Sequence, residues 1–204
     1  MRDAEFFRRW MAAAATAVER EADRLTELDS PIGDADHGSN LLRGFTAVRA
    51  ALEAEPTDAA PGAVLQLAGR TLISTVGGAS GPLYGTLLRR TGKALGESPE
   101  VSDEELCAAL SEGVGAVAQL GGAAPGDKTM LDALLPGAAA LATSYRAAGV
   151  AAENGALATV PMRARKGRAS YLGERSVGHQ DPGATSSALL LGALADVAEQ
   201  AGAR

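Results

Sequence analysis

Apolar residues recur at helical spacing along almost the whole chain, and this pattern limits the folds that the sequence can adopt. The chain holds 44 Ala and 25 Leu but only 13 Val and Ile together. Ala and Leu favour helix, whereas Val and Ile favour strand. The sequence therefore predicts an all-α protein whose helices occupy eight blocks, at residues 3–27, 38–54, 61–76, 82–96, 102–119, 128–149, 151–163 and 184–201.

Eight helices in 204 residues leave about 25 residues for each helix and its loop. This spacing suits antiparallel neighbours joined by short turns. We therefore expect an eight-helix antiparallel up-and-down barrel or bundle that forms one domain over residues 1–204. Ser102, which precedes three acidic residues, is a predicted N-cap, and Asp127 is predicted to open the block that begins at Lys128.

Charge and composition exclude several classes of partner. The formal net charge of −6 argues against duplex nucleic acid, because neutralising its phosphates requires a basic surface. The one cysteine, Cys107, cannot form an internal disulfide and fits a reducing compartment. No run reaches the roughly 18 to 20 apolar residues of a membrane span. We expect a soluble, cytoplasmic protein that binds neither a membrane nor nucleic acid directly.

Four loops are more elaborate than helix junctions require. They follow every second helix, so an up-and-down arrangement brings all four to the same end, and we predict the functional site there. In one-letter code the loops read DSPIGDADHGSN, GGASGPLYG, GGAAPGDKT and RKGRASYLGERSVGHQDPGATS.

The first loop places Asp29, Asp34 and Asp36 within eight residues. Three carboxylates so close repel one another unless a cation or a proton relieves the repulsion, and oxygen ligands suit Mg²⁺ or Ca²⁺. The alternative is a solvated turn in which the aspartates cap backbone groups. His37 follows at a helix start, where free N–H groups attract anions, or else it caps a backbone carbonyl within the turn.

The other loops also allow two interpretations. The glycines at 77–81 permit close backbone approach to a ligand, or simply form a tight turn. The stretch 163–175 holds five basic residues and one acid in an otherwise acidic protein. Arginines there match phosphate oxygens, or else form a solvated face. The chain has no Gly-Lys-Ser/Thr, so a Walker A element is excluded.

Taken together, the motifs GDADHGSN, VGGASGPLYGT, GDKTMLDAL and ARKGRASYLGERSVGHQDPGATS resemble the nucleotide-binding L subunit of dihydroxyacetone kinase. The resemblance extends in order across nearly the whole chain. It implies an eight-helix barrel that binds ADP or ATP and two Mg²⁺ at one end. One departure is Ala35, where the family usually has Gly, and we expect an ordinary backbone conformation there.

The resemblance also implies site residues. The Mg²⁺ ligands correspond to Asp29, Asp34 and Asp36, which with Arg168 form the predicted catalytic set. The nucleotide-contacting positions correspond to His37, Gly38, Ser39, Asn40, Ala79, Ser80, Gly121, Met130, Arg168, Asp181, Pro182 and Gly183.

In this family the ketose is bound covalently by a different subunit, so the chain is expected to supply only the phosphoryl group. A free-standing L unit favours the mode in which bound ADP is rephosphorylated by a phosphotransferase-system carrier. The predicted partners are therefore that carrier and the ketose-binding subunit, with a transcription regulator and a homodimer as further options. The alternatives are an ATP-dependent kinase subunit for another ketose and a nucleotide-sensing regulatory subunit.

Overall fold

The computed structural model describes residues 1–55 and 59–202. Within these residues the chain forms α1 (Ala4–Asp29), α2 (His37–Ala54), α3 (Pro61–Thr75), α4 (Ser80–Leu95), α5 (Asp103–Gly121), α6 (Leu131–Ala140), α7 (Tyr145–Ala158) and α8 (Pro182–Gly202). A 3-10 segment, Arg168–Ser176, precedes α8 and is interrupted at Gly173. The two-residue strands β1 (Arg2–Asp3) and β2 (Glu100–Val101) pair antiparallel, with Arg2 opposite Val101. The predicted all-α class is confirmed.

The helices close into a ring. Each helix packs against the next one along the chain, and α8 packs against α1. Because each connection reverses the chain direction, successive connections lie at alternate ends of the barrel. The α1–α2, α3–α4, α5–α6 and α7–α8 loops meet at one end and line a common cleft, as the sequence predicts.

The core is built from the apolar faces of these helices. Phe7, Trp10 and Met11 of α1 are fully buried, as is Leu191 of α8. The Trp10 indole N–H donates a hydrogen bond to the Leu190 carbonyl at 2.9 Å, so this polar group is satisfied where α1 meets α8. The first and last helices are thereby joined, and the barrel is closed.

Glycines allow α3 and α4 to approach closely. A Cβ atom added at Gly85 would lie 2.7 Å from the Gly69 carbonyl oxygen, and one at Gly92 would lie 2.5 Å from the Gly62 carbonyl oxygen. Neither position has room for a side chain. Hydrophobic periodicity does not predict this packing, because glycine carries no apolar side chain.

The predicted boundaries of the sixth and seventh blocks, 128–149 and 151–163, are wrong. The structure breaks the helix at 141–144 instead, and α7 runs through the predicted break. Ser144 caps α7 because its hydroxyl accepts a hydrogen bond from the Ala147 amide at 3.0 Å. The helix then stops ahead of Pro161, since proline disfavours helical backbone in the residue before it.

Of the two predicted helix starts, Ser102 is confirmed and Asp127 is wrong. The Ser102 hydroxyl accepts from the Glu105 amide at 3.1 Å, and the Glu105 carboxylate accepts from the Ser102 amide at 2.6 Å, which forms a capping box. The Asp127 carboxylate instead accepts from the Ala124 amide within the loop. The N-cap position of α6 is Met130, which forms no side-chain cap bond, and Asp132 in the first turn accepts from the Thr129 amide at 2.8 Å.

None of the helices in the described part of the chain combines the length and the apolar character that crossing a bilayer requires.

Candidate nucleotide and metal site

The four loops surround one cleft of about 260 Å³. The α4 and α5 side of the cleft is apolar and includes Leu83 and Val117, whereas the side formed by the loops is polar. An apolar wall with a few convergent polar groups is typical of a small-molecule site. Ten predicted site residues line the cleft: Asp29, His37, Ala79, Ser80, Gly121, Met130, Arg168, Asp181, Pro182 and Gly183.

Three predicted nucleotide-contacting residues lie in the first turn of α2, outside the lining of the cleft. Gly38 packs against α1 so closely that a Cβ atom would lie 1.9 Å from the Ala22 carbonyl oxygen. The Ser39 hydroxyl donates to a carbonyl of the preceding loop at 3.0 Å. The Asn40 side-chain oxygen accepts from the Arg43 guanidinium at 2.6 Å. In this structure Gly38 therefore sets the packing of the α2 start on α1.

The three predicted metal ligands come together beside the cleft. Carboxylate oxygens of Asp29, Asp34 and Asp36 all lie within 4.8 Å of one another. Asp29 is the buried last residue of α1, whereas Asp34 and Asp36 are exposed. The Asp29 Oδ2 accepts from the backbone N–H groups of Asp36 at 3.0 Å and His37 at 3.3 Å, which stabilises the start of α2.

The donor set of this carboxylate cluster fits Mg²⁺. All three candidate ligands offer hard oxygen atoms, which Mg²⁺ prefers, and none offers nitrogen or sulfur. The Arg168 guanidinium forms a 2.9 Å ion pair with Asp34, but both side chains are substantially exposed, at 65% and 40%. An exposed pair contributes little, so it leaves most of the carboxylate repulsion in place. A divalent cation would relieve that repulsion.

The backbone of the carboxylate loop is strained at Ala35. This residue has φ of 59°, in the left-handed region, so the expectation of an ordinary conformation there is wrong. A Cβ atom makes this conformation about 1 to 2 kcal/mol less favourable, whereas glycine adopts it freely. The loop keeps its turn despite the alanine, because the surrounding hydrogen bonds to Asp29 hold it.

His37 is the centre of a buried hydrogen-bond network. Its Nε2 lies 2.9 Å from the Ser186 hydroxyl, and its Nδ1 lies 3.3 Å from the Ser80 hydroxyl. The Tyr84 hydroxyl extends the network, at 2.6 Å from Ser186 and 2.9 Å from Ser187. Burial lowers the pKa of His37, against the opposing effect of the nearby aspartates. The network ties the starts of α2, α4 and α8 together at the floor of the cleft.

The basic stretch is divided between the cleft and the surface. Lys166 and Arg168 line the cleft, whereas Arg165 and Arg175 are exposed. Arg163, also exposed, forms a 2.9 Å ion pair with the acid of the same stretch, Glu174. Two of the five basic side chains are therefore placed where they could meet an anionic ligand.

Asp181 is a buried carboxyl group at the start of α8. Its Oδ2 accepts a hydrogen bond from the Ala184 amide at 2.7 Å. Burial raises the pKa of Asp181 from 3.8 to about 7, and the charges of Asp132 and Asp29 add to this increase, while the Ala184 bond and Lys128 oppose it. The ionised form is thus disfavoured in the folded protein.

We expect Asp181→Asn to stabilise the nucleotide-free protein at pH 8 but not at pH 4. The pKa of Asp181 is higher in the folded state than in the unfolded state, so stability is lost as pH rises from about 4 through 7, by up to a few kcal/mol. Asn removes this loss and still caps α8. Urea unfolding of both proteins across this pH range measures the difference, with Asp196→Asn on the exposed face of α8 as the control. A stability difference that does not depend on pH would contradict the prediction.

Comparison with known proteins decides the family. Residues 31–196 match the family model of the DAK2 domain. The chain belongs to the DAK2 domain family. It is 44% identical over 201 residues to the PEP-dependent dihydroxyacetone kinase ADP-binding subunit DhaL of Escherichia coli (strain K12), covering 94% of this chain and 95% of the relative. The resemblance to the L subunit and the prediction of a phosphotransferase are confirmed.

The chain is also similar to a kinase that is named for a different ketose. The D-erythrulose kinase of Mycolicibacterium smegmatis is 40% identical over 195 residues, which cover 90% of this chain but only 34% of that enzyme. Among solved structures, the dihydroxyacetone kinase of C. freundii in complex with AMP-PNP and Mg²⁺ matches with a TM-score of 0.72 and 26% identity, over 92% of this chain and 33% of that one. The barrel therefore recurs both as a separate subunit and as part of a longer kinase.

Sequence reasoning missed three buried polar residues at the candidate site. Tyr84 and Lys128 line the cleft, and the Asp132 carboxylate accepts from the Gly126 and Thr129 amides. Burial raises the pKa of Tyr84 to about 12 and lowers the pKa of Lys128. Tyr84 and Lys128 belong to motifs that the sequence displays, GPLYGT and GDKT, but nothing local shows that their side chains turn inward.

Proposed function

We propose that this chain binds ADP or ATP with two Mg²⁺ in the cleft and transfers a phosphoryl group to dihydroxyacetone held on a partner subunit. One observation carries the proposal: three converging carboxylates adjoin a cleft that combines an apolar wall with basic side chains. The adenine base of a nucleotide requires an apolar slot, and the phosphates of the nucleotide require cationic groups. Both are present at one end of the barrel.

The carboxylates Asp29, Asp34 and Asp36 would hold the metal. Bound Mg²⁺ neutralises phosphate charge, which is the main requirement of phosphoryl transfer. Arg168, already directed at Asp34, is proposed to contact the phosphates, because its guanidinium matches their oxygens. The proposed nucleotide contacts are His37, Gly38, Ser39, Asn40, Ala79, Ser80, Gly121, Met130, Arg168, Asp181, Pro182 and Gly183.

The start of α8 is the second element proposed for phosphate binding. Pro182 and Gly183 open this helix of 21 residues at the edge of the cleft, where the Gly183 N–H and the helix dipole favour an anion. The Ala184 N–H donates instead to Asp181. A Cβ atom at Gly183 would lie 3.1 Å from the Asp181 carboxylate, so a side chain there would crowd the turn. Glycine keeps the backbone open to a ligand.

The ketose is proposed to be held by another protein. His37 is not available to hold a sugar, because its ring lies within the buried network. His179 lies in the segment at the cleft edge, where its backbone carbonyl accepts from Lys128. The relatives that this chain matches over their whole length are named as subunits, which supports a partner subunit. The loop end of the barrel would then dock transiently on the phosphate carrier and on the ketose-binding subunit.

Phosphoenolpyruvate with its carrier proteins is expected to drive phosphorylation of dihydroxyacetone by this chain and a ketose-binding subunit, whereas ATP is expected to support only slow turnover. The physical reason is that bound ADP is rephosphorylated in place instead of exchanging with free nucleotide. A coupled assay with each donor measures both rates, and omission of the carrier is the control. Rapid multiple turnover with ATP and no carrier would contradict this mode.

An ATP-dependent subunit for another ketose is the second candidate function. The 40% identity to a D-erythrulose kinase, of which this chain spans about a third, supports it. The same assay distinguishes the candidates when erythrulose replaces dihydroxyacetone and ATP replaces the carrier system. Regulation of a transcription factor, a homodimer, cytoplasmic location and the single-domain assignment stay predictions.

A further inference from the structure

A buried lysine connects the loops that form one side of the cleft. The Lys128 side chain is 1% exposed, and its ammonium group donates to the carbonyls of Met162 at 3.0 Å and Ser176 at 2.6 Å, and to that of His179. These acceptors are 34, 48 and 51 residues further along the chain. They belong to residues 159–181, here called the cleft segment, which carries Arg168 and leads into α8.

All three N–H donors of the ammonium group are used. A lysine has three donors and no acceptor, and three backbone carbonyls take them. The group therefore has no donor left for a phosphate oxygen, although Lys128 is one of the residues around the cleft. Lys128 is in this respect a positioning residue, not a residue that contacts the ligand.

The backbone of Lys128 is also held in an uncommon conformation. Its φ is 63°, in the left-handed region that glycine adopts more easily. Such strain persists only where the surroundings maintain it. Next to it, the Asp127 carbonyl accepts from the Arg165 amide at 3.0 Å, which adds a second connection between this turn and the cleft segment.

Apart from Lys128, the described bonds between the middle of the cleft segment and the rest of the protein are the Arg165–Asp127 backbone bond and the exposed Arg168–Asp34 ion pair. The ends of the segment are joined by hydrogen bonds from the Gly178 amide to the Val160 carbonyl at 2.8 Å and from the Asp181 amide to the Thr159 hydroxyl at 2.9 Å. Its apolar contacts form a small cluster of Ile32, Ala164 and Ala169, separate from the main core. A segment with so little buried apolar surface needs its polar anchors to stay ordered.

We propose that Lys128 fixes the cleft segment against the α5–α6 turn and thereby holds Arg168 over the nucleotide. The role in nucleotide retention rests on the proposed function, whereas the role in ordering the segment does not. The charged hydrogen bonds to three carbonyls supply the ordering. An ordered segment keeps Arg168 at the lining of the cleft, which slows release of a bound ligand.

The test compares Lys128→Met with Lys93→Met, an exposed lysine in the last turn of α4, at the opposite end of the barrel. Trypsin reports on the segment directly, because basic residues at 163–175 provide cleavage sites. In nucleotide-free protein well below the thermal transition, Lys128→Met is expected to raise cleavage in this stretch by roughly tenfold or more, since charged buried hydrogen bonds are lost. Lys93→Met is expected to leave it unchanged.

Release of ADP in the presence of Mg²⁺ is the second measurement. Lys128→Met is expected to increase the dissociation rate by roughly tenfold, with helix content unchanged by circular dichroism. Cleavage and release both equal to wild type would overturn the proposal, and so would a general loss of stability without faster local cleavage. If wild type binds no ADP, the proposed function fails, while the cleavage comparison still decides the role of Lys128.

Lys128→Arg keeps the charge and is the variant to test if Lys128→Met does not fold. A planar guanidinium cannot direct three donors to carbonyls that converge on one ammonium nitrogen. Cleavage is therefore expected to rise here too, by roughly threefold or more, because part of the bonding is lost. Wild-type cleavage in Lys128→Arg would contradict the proposal.

Discussion

Replacing Asp34 or Asp36 with Asn is expected to reduce phosphoryl transfer by roughly 100-fold or more, because metal ligands supply several kcal/mol of charge stabilisation. Asn keeps the size of the side chain and removes its charge. Both aspartates are exposed and lie outside the helix core, so the variants are expected to fold normally. The measurement is the rate of ketose phosphorylation with the complete donor system, together with the Mg²⁺ dependence of ADP binding.

Asp23→Asn is the matched control for these variants. Asp23 is an exposed aspartate of α1, six residues before Asp29, and it belongs to no carboxylate cluster that the described residues form. It changes the net charge equally and is expected to leave activity unchanged. Near-normal transfer and unaltered Mg²⁺ dependence in both Asp34→Asn and Asp36→Asn would show that the metal assignment is wrong.

Asp29 requires a different interpretation. It is buried, and its carboxylate accepts two backbone N–H groups at the start of α2. Asp29→Ala therefore removes a helix cap as well as a ligand and is expected to lose about 1 kcal/mol of folding stability. Asp29→Asn retains an acceptor for those amides, so it separates the loss of the cap from the loss of the charge.

ADP with Mg²⁺ is expected to raise the thermal unfolding midpoint by several degrees. A ligand at 100 times its dissociation constant stabilises the folded state by about 2.7 kcal/mol. For a domain of this size, each kcal/mol raises the midpoint by about 2 to 4 °C. Thermal unfolding with ADP and Mg²⁺, with ADP and a chelator, and without nucleotide provides the comparison.

Two controls identify the cause of such a shift. Adenosine, which lacks phosphates, is expected to stabilise the protein much less than ADP, because it cannot use the metal or Arg168. Asp34→Asn is expected to lose most of the ADP effect but to unfold like wild type without nucleotide. Identical thermal unfolding curves for wild type with and without ADP and Mg²⁺ would show that the chain does not bind ADP tightly.

Local features of the sequence were sufficient to predict the fold class and to nominate much of the candidate site. The fold class follows from helical periodicity and from the Ala and Leu content, which are properties of neighbours along the chain. The capping box of Ser102 and Glu105 is local in the same way. The same is true of Asp34 and Asp36, which stay close to Asp29 because one short loop connects them. Alternation of loops between barrel ends then brings the four motifs together. The family resemblance supplied the remaining candidate site residues.

Only the tertiary structure decided the properties that depend on distant residues. The bonds of Lys128, the network of Tyr84 and the raised pKa of Asp181 join groups far apart in sequence. The left-handed backbone of Ala35 and Lys128 is likewise imposed by surrounding contacts, against local preference. The break between α6 and α7 was also decided in the structure, since Ala-rich sequence is compatible with helix on both sides of it. Local propensity cannot predict which buried polar groups meet, because their desolvation is compensated only by partners that folding brings near.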